Sequence, residues 1–283
     1  MEKRKTPVGI LMVFLLLTCG GPPKPDPGDG ARGYGSRASA FFTEGNLLGA
    51  LADYKHAYVA AAKVDLPLQQ AQYLFNVGRV YYELGLLDSA DTAFQASYRE
   101  MNFYHDEENA RTVAGFIALL YARRGLYDNA FTWYERGRPQ VLKDPGPTAF
   151  WLTVQAVVGM VKDRAPEAEG YLDRAMECYT KEKRYNGMAS VDYYRASIAF
   201  SSANYEEARR QLTESLALLD KAPERYRRWR VLLASATVAF CVHDSDAGQR
   251  YYKRALDCAP AGIVMPPVND VTTCPKKFWE GNR

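Results

Sequence analysis

A small–large–small pattern of side chains recurs along the chain and limits its fold more than any other feature. It runs Ala50/Tyr54/Ala57, Ala90/Phe94/Ser97, Ala130/Tyr134/Gly137, Ala168/Leu172/Ala175, Ala208/Leu212/Ser215 and Gly248/Tyr252/Ala255, with copies 40, 40, 38, 40 and 40 residues apart. Steps of four and three residues put all three side chains on one face of a helix. The small residues let a second backbone come close, and the large one fills the gap beside it. A turn precedes the stripe, as Glu44-Gly45-Asn46, Leu84-Gly85-Leu86, Arg124-Gly125-Leu126-Tyr127 and Ala203-Asn204-Tyr205. The fourth copy has Lys162-Asp-Arg-Ala-Pro166 there, and the sixth has His243-Asp-Ser-Asp246. Each copy therefore reads as the second half of a helical hairpin. One hairpin cannot bury its apolar face alone, whereas a stack of them builds a continuous core. No convincing run of alternating β-branched residues interrupts the series, so the expected fold is all-α, with about six antiparallel helix pairs.

The second copy, Gly78 to Ser97, is the clearest. Its Gly78, Tyr81, Gly85, Ala90, Phe94 and Ser97, with Ala118, Tyr121, Gly125, Tyr127, Ala130 and Tyr134 of the third copy, resemble the signature positions of the tetratricopeptide repeat (TPR) family. Pro260 falls where such a repeat commonly ends. The resemblance spans residues 36–260 and implies a right-handed superhelix, here with a period near 40 residues, similar to the longer-helix repeats of kinesin light chains.

The N-terminus has a different character. Residues 1–18 carry Lys3, Arg4 and Lys5, then an apolar run from Pro7 to Leu17. That run is too short for the roughly 20 residues that cross a bilayer, and it reads as a signal peptide. Leu16-Leu17-Thr18-Cys19 resembles the bacterial lipobox, which implies lipidation of Cys19. Residues 19–35, rich in proline and glycine, read as a flexible linker. Extended at ~3.1 Å per residue, it would reach about 50 Å from a membrane. The resulting expectation is a lipid-anchored protein of the bacterial cell envelope facing the periplasm. Gly20 lacks the aspartate that resembles an inner-membrane retention signal, which favours the outer membrane.

Composition narrows the function. The formal net charge is +3, and removing the basic leader leaves the rest near neutral. Such a chain lacks the basic footprint of a nucleic-acid binder. The three histidines, His56, His105 and His243, have no carboxylate or cysteine at ligand spacing, no Walker loop or nucleophile motif occurs, and Gly33-Tyr-Gly35-Ser-Arg-Ala38, a loose match to a dinucleotide fingerprint, follows no strand. The sequence reads as a non-enzyme without cofactor or metal. Beyond Cys19 there are Cys178, Cys241, Cys258 and Cys274. Cys178 and Cys258 sit two repeats apart, too far to bridge. Cys274, in the non-repetitive tail 261–283, can swing back to Cys258 or Cys241, and Cys258–Cys274 is the bridge singled out. The tail pairs apolar clusters (Ile263-Val264-Met265 and Phe278-Trp279) with Pro266-Pro267, and reads as a cap on the last repeat or as a recognition peptide.

In TPR superhelices the first helix of each pair lines a concave groove, where partners usually bind. The resemblance places Phe75, Asn76, Arg79, Tyr82 and Glu83 there from the second copy, and Phe116, Leu119 and Arg123 from the third. The fourth supplies Phe150, Val154, Val157, Met160 and Val161, and the fifth Tyr193, Tyr194 and Phe200. An apolar groove must be covered by something: the superhelix closing on itself, the tail, a partner or an apolar ligand. Two functions are therefore expected. One is a scaffold holding a protein or peptide of an envelope complex or transporter. The other is a binder of a small apolar ligand, by resemblance to the TPR lipoproteins that accompany tripartite (TRAP-type) transporters in treponemes.

Overall fold

A computed structural model of the chain describes residues 28–140, 144–160, 165–223, 227–275 and 278. Cys19 and the leader lie outside these residues, as do Val161 and most of the fourth turn. Thirteen helices occur among the described residues. Twelve form six antiparallel pairs: α1 (Asp29–Glu44) with α2 (Leu47–Lys63), α3 (Pro67–Leu84) with α4 (Leu87–Phe103), α5 (Glu107–Arg123) with α6 (Tyr127–Gly137), α7 (Pro145–Met160) with α8 (Ala165–Lys181), α9 (Tyr185–Ser201) with α10 (Tyr205–Leu219), and α11 (Arg228–Cys241) with α12 (Ser245–Cys258). A short α13 (Val268–Thr272) follows in the tail. This is the expected all-α, TPR-like superhelix.

The stripes behave as their spacing requires. Apart from the half-buried Tyr252, all of their residues are buried. Where the third position is serine, its hydroxyl finds a partner on the facing helix. Ser97 Oγ donates to the Ala71 carbonyl at 2.7 Å, and Ser215 Oγ donates to the Ala189 carbonyl at 2.7 Å. Burying these hydroxyls is tolerable because each is hydrogen-bonded.

The turns are equally regular. Left-handed backbone recurs at Gly45, Asp65, Gly85, His105 and Gly125, and again at Lys183, Ala203 and His243. The next amide closes the preceding helix, as in Asn46 N to Phe41 O (2.8 Å) and Asp244 N to Ala239 O (2.9 Å). That same residue then caps the following helix. Asn46 accepts from Gly49 N, Asp106 from Asn109 N, Asn204 from Glu207 N and Asp244 from Ala247 N. His105 and His243 thus occupy turn positions, while His56 lies 3.8 Å from Asp53 on α2.

Two differences from the sequence expectation concern the ends of the repeat array. Helix α1 begins at Asp29, inside the stretch whose glycines read as linker. Packing accounts for it: Ala31 and Ala38 are buried, and a Cβ on Gly35 would lie 2.6 Å from Tyr73 Cε1 of α3. A side chain there would require the Tyr73 ring to shift. The second difference is the disulfide. Cys274 bonds to Cys241, with Cα atoms 5.0 Å apart, while Cys258 and Cys178 are free thiols. The Cys258–Cys274 expectation is therefore corrected. The tail runs over α11 at the inner layer, whereas Cys258 ends the outer α12 with its thiol toward the Ala255 carbonyl.

The close approach of α3 and α4 yields a direct test. A Cβ on Gly78 would come 2.5 Å from Phe94 Cδ1, and Phe94 is fully buried with no room to retreat. Gly78→Ala is expected to destabilise the protein by about 1–3 kcal/mol, overpacking outweighing the helix propensity gained. Gly170 on α8 has nothing within 4 Å of its Cβ position. Gly170→Ala is therefore expected to stabilise by about 0.5–1 kcal/mol. Urea unfolding of the two variants should move in opposite directions; equal shifts would contradict the packing.

Candidate functional site

The inner helices α3, α5, α7, α9 and α11 bring most of the expected groove residues together. At one level an aromatic ladder crosses three helices, with Phe75 and Phe116 centroids 5.1 Å apart and Phe116 and Phe150 5.3 Å apart. The Arg79 guanidinium lies 4.8 Å from the Phe42 ring centre and 5.8 Å from that of Phe116, and its Nη1 donates to Asn76 Oδ1 at 3.2 Å. Six residues of the expected set, Tyr82, Leu119, Arg123, Val157, Met160 and Tyr194, line a cavity of about 1420 Å³. Two members of the set point elsewhere. Val154 is buried among Ala118, Ala130, Tyr134 and Trp151 between α5, α6 and α7, and Phe200 is buried beneath the tail.

The polar centre of the groove was only half visible in the sequence. Glu83, in the last turn of α3, is buried and faces α11 across the groove. Its carboxylate oxygens lie 3.0 Å from Arg227 Nη2 and 3.1 Å from Arg230 Nη2. Arg230 also donates to the Glu83 carbonyl at 3.3 Å. Burial by itself would raise the Glu83 carboxyl, but the guanidinium groups of Arg230, Arg227, Arg123 and Arg79 outweigh it and hold the group below the usual carboxylate range. Arg123 Nη1 donates to the Tyr82 carbonyl at 2.8 Å with its guanidinium over the Tyr82 ring. Four guanidinium groups thus surround one carboxylate. The superhelix curls far enough for its second and last pairs to meet.

The tail completes this closure and enters the groove. After α12, Ile263 packs against both the core of the first two pairs and that of the last pair. A Cβ on Gly262 would lie 3.2 Å from Leu84 and 3.3 Å from Leu48. Tyr252 Oη donates to the Pro266 carbonyl at 2.6 Å, and Val271 of α13 is buried against α11. The Cys241–Cys274 bridge then fixes the arm to the end of α11. Beyond it the Phe278 ring lies 4.6 Å from Phe200 and 5.8 Å from Tyr193. Val264, Met265, Pro266, Pro267 and Phe278 all border the large cavity.

A second, smaller depression lies between α8, α9 and α10 and is lined by charged residues. Arg195 is 2.5 Å from Asp173 and 3.4 Å from Asp192, and Arg210 is paired with Glu207 and Glu214. Among the described residues no cluster of histidine, cysteine and carboxylate side chains could hold a metal. Glu169, Asp173, Glu207 and Glu214 outnumber Arg195 and Arg210, leaving the depression acidic.

No family model matches the sequence, and no curated protein does. Solved structures do match in fold. The Rap conjugation gene regulator of plasmid pLS20, in complex with the Phr* peptide, superposes with a TM-score of 0.65 at 16% identity, over 84% of this chain and 64% of the regulator. A Rap protein complexed with competence and sporulation factor gives 0.59 at 17% identity, over 81% of this chain and 74% of that protein. The apo quorum sensor NprR from B. thuringiensis gives 0.55 at 14% identity, over 82% and 77%. The chain therefore spans less than two thirds of the length of the pLS20 regulator. The shared feature is the all-helical TPR-like superhelix, a fold typical of non-catalytic binding proteins.

Proposed function

We propose that the chain is a scaffold that holds an extended segment of a partner polypeptide in its concave groove. One observation carries this reading: the chain's own tail already lies along the groove, with Val264, Met265 and Phe278 bordering the cavity and the Phe278 ring seated against Phe200. The space left beside the arm, about 1420 Å³, exceeds the ~300–1000 Å³ of most small-molecule pockets and favours a polymer over a small apolar ligand. The Rap structures, which match in fold, hold the Phr* peptide and competence and sporulation factor, and this likeness supports the same class of ligand.

The proposal extends to location. Lipidation of Cys19 would tether the superhelix to the cell envelope through residues 20–28, and the Cys241–Cys274 bridge fits the oxidising space outside the cytoplasm. Retention of a Cys19→Ser variant in the membrane fraction would contradict the tether. For the groove, Val157→Glu and Tyr194→Glu place charge on the cavity wall without touching the stripes. Both variants are expected to fold normally by circular dichroism and to lose partner pull-down at least tenfold. Normal folding with every partner retained would refute the groove reading.

A further inference from the structure

The arm divides into two parts with different attachments. Up to Cys274 it is fixed covalently to α11, and Pro260, Ile263, Pro266 and Val271 are packed against the repeats. Past Cys274, the Phe278 ring is seated in a slot of its own. That slot is a built feature of the groove. Tyr193 and Phe200 of α9 flank the ring, and Ala234 and Val238 of α11 belong to the same packed cluster. Phe278 is only 5% exposed, yet it also borders the large cavity beside Tyr194 and Val157. Its withdrawal would join the slot to the cavity as one continuous surface.

We propose that the slot between Tyr193 and Phe200 is an aromatic-anchor subsite, taken by a phenylalanine or similar ring of an extended partner peptide, with Phe278 as its resident competitor. The inference rests on the groove reading and adds the side chain that the groove selects. Extended peptides commonly bind through main-chain hydrogen bonds, with pockets for particular side chains giving specificity. The tail shows the pocket part of this arrangement at Phe278. A competitor tethered within a few residues of a fixed point has an effective concentration in the millimolar range. The resident ring therefore weakens every incoming peptide and makes its removal measurable.

The test uses the full chain and a fluorescein-labelled synthetic peptide with the sequence of residues 275–283, PKKFWEGNR, followed by fluorescence anisotropy. Phe278→Ala is expected to bind this probe at least tenfold more tightly than the wild type. Phe278→Leu, which keeps apolar volume in the slot, is expected to fall between them and serves if the alanine variant folds poorly. A probe with both aromatic residues changed to alanine is expected to lose binding to Phe278→Ala. Equal affinity for wild type and both variants, or undiminished binding of the alanine probe, would overturn the subsite. If that happens while Val157→Glu still abolishes partner pull-down, the groove reading survives and only the aromatic slot is lost.

Discussion

Replacing Glu83 by alanine is expected to cost about 3–5 kcal/mol of unfolding free energy, the largest effect of any single substitution at the groove. The reason is what remains behind. Arg227 and Arg230 lie 3.0 and 3.1 Å from this buried carboxylate, and without it these two guanidinium groups stay partly desolvated and lose the charge that offsets them across the groove. Surface ion pairs such as Arg111–Glu107, three-quarters exposed on the acid side, are worth far less, about 0–1 kcal/mol. Glu83→Gln separates charge from shape, because the amide can still accept from one arginine while the ionic attraction is gone. The Glu83 carboxyl is held below its ordinary value, so its contribution is fully present above about pH 4.3, the usual glutamate range, and is lost as pH falls through the folded-state value. The wild type should therefore lose stability in acid more steeply than Glu83→Gln. Urea midpoints measured from pH 3 to 7 test both points, and parallel pH curves would remove Glu83 from the account.

Breaking the Cys241–Cys274 bridge is the second large effect. The bond joins residues 33 apart, and closing a loop of that length stabilises by roughly 3.5–4 kcal/mol in the chain-entropy model. Cys274→Ser, or reduction of the wild type, should lower the urea midpoint accordingly and expose the arm to protease. Cys258→Ser should do neither, since that thiol is free and burial raises its pKa. Non-reducing peptide mapping should recover Cys241 joined to Cys274. A Cys258–Cys274 peptide, or insensitivity to reductant, would contradict the route drawn for the arm.

What the sequence revealed and what it hid follow from the range of the forces involved. The stripes were legible because close helix approach restricts side-chain size at fixed local spacing, as in Ala90, Phe94 and Ser97. The turns were legible because glycine and asparagine mark left-handed backbone and caps. Curvature was not, since small rotations between successive pairs leave no local signature and bring Glu83 to Arg227 over 144 residues of chain. A hint existed in the charges. Acid at the end of α3 and arginines at the start of α11 both oppose the helix dipole, so each group needed a partner beyond its own helix. Helix α7 shows a further limit. It is apolar on nearly all sides, so periodicity could not tell Val154, which faces the core, from Val157, which faces the cavity. The Gly28–Gly35 stretch misled through propensity: buried Ala31 and Ala38 and the contact of Gly35 with Tyr73 hold it helical although Gly30 and Gly33 have open space, so tertiary contacts overrode local preference.

The central claim is that the concave surface holds a partner polypeptide. It is tested most directly by placing a photo-crosslinking amino acid at Val157 in the full chain and, separately, at Arg209 on the exposed face of α10, then irradiating intact cells. A covalent adduct is expected at position 157 whose mass maps to a segment of another protein, with none at position 209. Adducts to another protein at position 209, with only the chain's own arm captured at position 157, would contradict it.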